Sequence, residues 1–111
     1  MGFSRVKAVY VECSVETEDT LVFDAFLNAD NSIRGMEIFG YAIDDGDKWP
    51  FYIKPKGKEG LLYWGTGEEN TTTTVNLFKK KIKVGEYITR IDISDNERAE
   101  YTYRVTDIFD W

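Results

Sequence analysis

Apolar side chains recur at every second position over much of this chain, which is the period of a strand with one face turned to a core. Val6 to Glu12 and Leu21 to Leu27 read as strands, and in the second Leu21, Phe23, Ala25 and Leu27 share one face with Asp24 on the other. The polar stretch from Ser14 to Thr20 reads as the connection between them. After a turn at Ala29 to Ser32, the run from Met36 to Ile43 carries apolar groups on both faces, Met36, Ile38 and Ala42 against Phe39, Tyr41 and Ile43. That pattern predicts a central strand covered on both sides. Asp44-Asp45-Gly46-Asp47 supplies an Asp-Gly pair suited to a tight hairpin, with Trp49 to Lys54 returning.

Lys54 to Gly60 is rich in Pro, Gly and Lys and predicts a projecting loop, and Leu61 to Trp64 a short strand ended by Gly65-Thr66-Gly67. Thr71 to Phe78 is β-prone by its threonines. Lys79, Lys81 and Lys83 then alternate with Lys80, Ile82 and Val84, a spacing expected of a solvated edge strand. In the last hairpin Tyr87, Thr89, Ile91 and Ile93 share one face, Ser94 to Ala99 form a polar turn, and Tyr101, Tyr103 and Val105 alternate on the return. No amphipathic run of helical length and no repeat interrupts this series. The expected fold is all-β, a single small antiparallel barrel or sandwich of seven or eight short strands formed by residues 1–111 as one domain.

Composition agrees: 42% hydrophobic and 15% aromatic residues are enough for one core in 111 residues. There is one cysteine, Cys13, so no internal disulfide can form, and its place in a β run predicts a small buried side chain. No leader-like segment opens the sequence and no apolar run is long enough for a membrane helix, so the expected compartment is the cytoplasm. The net charge of −6 opposes broad association with nucleic acid or anionic lipid. Its distribution is uneven: residues 1–53 carry 4 basic and 10 acidic side chains, residues 54–83 carry 7 and 3, and residues 84–111 carry 3 and 7.

The chain has no histidine, which removes Ser-His-Asp and Cys-His catalysis and the ordinary catalytic zinc sites. Twenty acidic residues make carboxylate pairs inevitable, but no spacing singles one out for acid–base work. Asp44-Asp45-Gly46-Asp47 lacks the ligand spacing of a calcium loop, and Gly65-Thr66-Gly67 lacks the Lys of a phosphate loop. No enzyme, metal or cofactor is therefore expected.

The leading expectation is a protein-interaction module, an acidic inhibitor or an assembly component or homo-oligomer, binding through Trp49, Tyr52, Tyr63 and Trp64. A barrel holding a small apolar ligand among Phe23, Phe39, Tyr87, Tyr101 and Tyr103 is the second. The third is single-stranded nucleic-acid binding by the basic island, whose lysines stand among Phe51, Tyr52, Tyr63 and Trp64. The acidic flanks oppose it unless they fold away. Trp111 at the end of the sequence is a candidate anchor, for the domain itself or for a partner.

Overall fold

The computed structural model describes residues 2–64 and 71–110, so the expectations for Gly65-Thr66-Gly67 and Trp111 fall outside the described residues. Eight antiparallel strands follow one another in chain order: β1 (Gly2–Glu12), β2 (Val15–Leu27), β3 (Ile38–Asp44), β4 (Asp47–Lys56), β5 (Glu59–Trp64), β6 (Thr71–Val75), β7 (Tyr87–Ser94) and β8 (Glu97–Asp110). Each pairs with the next, and β8 returns to β1 from Ser4 opposite Asp110 to Tyr10 opposite Tyr103, closing a barrel. No helix occurs among the described residues.

Turn chemistry sets the register. The connections of β1–β2, β3–β4 and β7–β8 are two residues long, Cys13-Ser14, Asp45-Gly46 and Asp95-Asn96, each with positive φ at both positions. That geometry matches the right-handed twist of the flanking strands. Cys13 therefore sits exposed in a turn, with φ 51°, and not in the core as its neighbours suggested. The polar residues assigned to connections, Glu16 to Thr20 and Glu97 to Ala99, instead prolong β2 and β8. Likewise β4 and β5 absorb most of the expected projecting loop and leave only Gly57-Lys58 between them.

In an up-and-down barrel alternate connections gather at opposite ends. The upper end carries Cys13-Ser14, Asp45-Gly46 and Asp95-Asn96, and the lower end carries the segments 28–37, 57–58 and 76–86 with Gly2 and Asp110. The lower interior is filled by Val6, Phe23, Ile38, Ile53, Val75, Ile88 and Val105, and Ile33, Leu77 and Ile82 close it from below. The two plug segments are tied together and to the barrel: the Ile82 N–H donates to the Asn31 carbonyl at 2.8 Å, Arg34 to Phe26 at 2.9 Å and Gly85 to Val105 at 2.8 Å. The lysine-rich stretch 79–83 is thus not an edge strand, since a closed barrel has none; Ile82 is fully buried while its lysine neighbours face outward from the plug.

Two more expectations change. Met36 precedes β3, and on β3 only Ile38 and Ala42 are buried, while Phe39 points outward and is 63% exposed. On β7 the apolar face Tyr87, Thr89, Ile91 and Ile93 is the outer one, and the residues alternating with it, Ile88, Arg90 and Asp92, point inward.

Phe23 fits into the core because Gly40 lies directly opposite it on β3, where a Cβ would collide with the Val22 carbonyl oxygen and with the Phe23 Cα and Cβ. Gly40→Ala is expected to destabilise the barrel by about 1–3 kcal/mol, read as a lower urea midpoint at unchanged m-value. An unchanged midpoint would show that β2 and β3 can part without cost.

Candidate functional site

Above the apolar half, the inward positions change character. Tyr10 on β1, Asp19 on β2, Asp44 on β3, Trp49 on β4, Trp64 on β5, Thr73 on β6, Arg90 and Asp92 on β7, and Tyr101 and Tyr103 on β8 form a polar and aromatic layer. Every strand contributes because the meander brings one or two inward residues of each to this level.

Arg90 is its centre. Its Nε donates to Asp92 Oδ1 at 3.0 Å and one terminal nitrogen to Oδ2 at 2.7 Å, a two-point ion pair. The other terminal nitrogen donates to the Tyr103 hydroxyl at 3.1 Å. The guanidinium also lies 4.8 Å from the ring centre of Trp64 and 5.0 Å from that of Tyr101. Asp92 Oδ1 accepts a further bond from the Thr73 hydroxyl at 2.8 Å, and Thr73 accepts from Trp64 Nε1 at 3.2 Å. Side-chain exposures of 13% for Arg90 and 17% for Asp92 mean that both charges have lost most of their water, which the pair and its neighbours replace. Burial works against the charge on Arg90, but the bonds to Asp92 and Tyr103 outweigh it and hold the guanidinium above its ordinary pKa. Burial likewise raises Tyr103, so its phenol stays neutral and accepts from Arg90.

Beside this cluster is a cavity of about 200 Å³ lined by Ala42, Asp44, Trp49, Trp64, Thr71, Arg90 and Asp92. An adjoining recess of about 110 Å³ is lined by Tyr10, Asp19, Ala42, Asp44, Arg90, Tyr101 and Tyr103, among others. Ala42, Asp44 and Arg90 border both, so the two are lobes of one site. At the rim, carboxylate oxygens of Asp19, Asp44 and Asp45 lie within 4.8 Å of one another, and the Asp45 N–H donates to Asp19 at 3.2 Å. Partial desolvation, then the nearby charges of Asp19 and Asp45, raise the pKa of Asp44, with Arg90 opposing them.

The four residues expected to form one binding patch fall on two faces. Trp49 and Trp64 point into the cavity. Tyr52 and Tyr63, a pair across β4 and β5, stack on the outer surface with ring centres 5.0 Å apart and planes at 17°. Of the aromatics proposed to hold an apolar ligand, Tyr101 and Tyr103 border the site, Phe23 fills the core below, and Phe39 and Tyr87 lie outside. Arg90, Asp92 and Thr73 escaped the sequence reading, and Asp44 was read only as part of a turn without calcium-loop spacing. The available signal was an Arg and an Asp two positions apart on a strand whose opposite face is apolar.

Asp92→Asn, which leaves the Arg90 charge buried with a neutral partner, is expected to cost about 3–5 kcal/mol in urea unfolding. Glu100→Ala, which breaks the exposed pair with Arg98, should change stability by less than about 1 kcal/mol. Similar effects for both would contradict a water-excluded Arg90 pair. Because Asp44 binds its proton more tightly in the folded chain, its contribution is fullest below the ordinary carboxylate range and is lost as pH rises through the raised folded value. Asp44→Asn should therefore unfold at a higher temperature than the parent at pH 7, with the difference vanishing in acid. A parent that is the more stable at pH 7 would contradict this.

Comparison with protein-family models, with curated proteins and with solved structures found no match to this chain.

Proposed function

We propose that the protein is a non-catalytic binding barrel that takes one small organic ligand into its upper interior, working in the cytoplasm, where its unpaired Cys13 stays reduced. The observation carrying this reading is the cavity beside Arg90, walled by Trp49 and Trp64 and floored by hydrogen-bonded side chains. Eight-stranded barrels are wide enough either to be filled by side chains or to hold one small ligand, and here the lower half is filled and the upper half is not. A volume of about 200 Å³ lies between that of a cavity that accepts a benzene ring and that of a drug-sized pocket, which points to a ligand of one or two rings. The floor is fixed before any ligand arrives, since Arg90, Asp92, Thr73 and Trp64 hold one another. Such preorganisation lowers the ordering cost of binding. Against catalysis stand the absence of histidine and the engagement of Asp92 with Arg90.

Ala42 borders both lobes, so Ala42→Phe directs a ring into the space itself. Ligand-observed NMR with a library of one-ring and two-ring compounds should find binders for the parent and none for Ala42→Phe, with the variant still cooperatively folded. Binders retained by the variant would place the ligand elsewhere.

A second reading, the interaction module, draws support from the outer face. Phe39, Tyr52 and Tyr63 form a continuous row across β3, β4 and β5, with Phe39 and Tyr63 exposed and Lys54 within 6 Å of both tyrosine rings. The occupant that fits is a second copy of the chain. Lys54, Lys56, Lys58 and Lys79 to Lys83 lie toward the lower end and Glu12, Asp45, Asp47, Asp95 and Glu97 toward the upper, so a two-fold antiparallel pairing through this row sets each basic end beside an acidic one. Light scattering after size-exclusion chromatography should then give a dimer that weakens at high salt and is lost in Phe39→Ser/Tyr63→Ser. A monomer at all concentrations would contradict this reading and leave the cavity reading untouched.

A further inference from the structure

Resting on the cavity reading, we infer that the ligand is a small organic cation, a protonated amine on an aromatic or compact apolar body. Its ring would lie between Trp49 and Trp64, with its ammonium group against Asp44.

The charge inventory of the lining carries the inference. Arg90 is the one cation on the cavity wall among the described residues, and its charge is already taken: both oxygens of Asp92 face it, and Trp64 and Tyr101 cover it. Subtracting that pair leaves the Asp44 side chain, whose carboxylate has no hydrogen bond or ion pair among the described residues. Asp19 and Asp45 add two more carboxylates within a few ångströms of it. An entering carboxylate would meet this group without a free cation to receive it, whereas an ammonium relieves the mutual repulsion of the three.

Shape and surface agree with charge. Trp49 stands opposite Ala42 on the paired strands β3 and β4, two positions from Asp44, and both line the same cavity. No cation of the protein stands over its indole among the described residues, although Trp64, Tyr41, Tyr52, Tyr63 and Phe26 each have one. An indole face and a carboxylate bordering one small space are the two groups that recognise an organic ammonium ion and reject its neutral analogue. The upper end as a whole is acidic, through Glu12, Glu16, Glu18, Asp47, Asp95 and Glu97, and its field draws a cation toward the site.

Three near-isosteric probes separate the cases: 2-phenylethylamine, 2-phenylethanol and phenylacetate, titrated calorimetrically into the intact protein and into Asp44→Asn. The amine is expected to bind about tenfold or more tighter than the alcohol, phenylacetate weakest of the three, and Asp44→Asn to bring the amine down to the level of the alcohol. Asp44 is exposed at the rim, so the variant keeps the fold. If the alcohol or phenylacetate binds as tightly as the amine, or if Asp44→Asn leaves amine affinity unchanged, the cation assignment is overturned while the cavity reading stands. Should none of the three bind at millimolar concentration, the cavity reading falls and takes the inference with it.

Discussion

An arginine inside a small barrel is a constraint that the rest of the upper half has to satisfy. Removing a guanidinium and a carboxylate from water costs several kcal/mol for each ion, and their attraction recovers this only where geometry is good and the remaining polar atoms are bonded. Arg90 and Asp92 meet those conditions through the two-point pair, through Thr73 and Tyr103 as hydrogen-bond partners, and through the rings of Trp64 and Tyr101. Neighbouring strands supply these groups from β5, β6, β7 and β8, so the cluster ties one side of the barrel together as it balances the buried charge. An interior built this way cannot be packed with aliphatic side chains at the same level. The space it leaves between Ala42, Trp49 and Asp44 is the origin of the cavity.

The same division runs along the barrel axis. Below Arg90 the interior is apolar and closed by Ile33, Leu77 and Ile82, with lysines on the outside of the plug; above it the interior is polar and the surrounding turns are acidic. A sequence that is acidic, then basic, then acidic becomes a barrel with two unlike ends, because the meander sends alternate connections up and down. Topology thus carries the acidic turns at residues 12–19, 44–47 and 95–97 away from the basic island, while Glu86 stays beside it, 4.0 Å from Lys80. The proposed cation site and the proposed head-to-tail pairing of two copies both draw on a field of that polarity.

The antiparallel all-β class, the strand number to within one, and the lower core were legible in the alternation of Leu21 to Leu27 and of Tyr101 to Val105, since those residues face an apolar interior and period two is unambiguous there. Closure of the barrel was not, because nothing local in β1 or β8 specifies that Ser4 will lie opposite Asp110. On β7 the rule of apolar-inside gave the wrong face: Ile91 and Ile93 look outward because the inner positions are needed for Arg90 and Asp92. Of the patch named from sequence, Trp49 and Trp64 do border the cavity, yet their grouping with Tyr52 and Tyr63 ignored the alternation that puts Tyr52 and Tyr63 outside. Cys13 misled for a simpler reason. The tight turn needs two residues at positive φ, and chain neighbours of strand character conceal it.

The central claim is that Trp49 and Trp64 border an acidic space reachable from the upper end. The most direct measurement is collisional quenching of tryptophan fluorescence in a Trp111→Phe protein, comparing caesium with iodide at equal ionic strength. Clear quenching by caesium and little by iodide are expected, because the carboxylates of Asp19, Asp44 and Asp45 concentrate cations at the rim and exclude anions. Emission that neither ion reaches would mean that the upper interior is sealed like the lower, and stronger quenching by iodide would contradict an acidic rim.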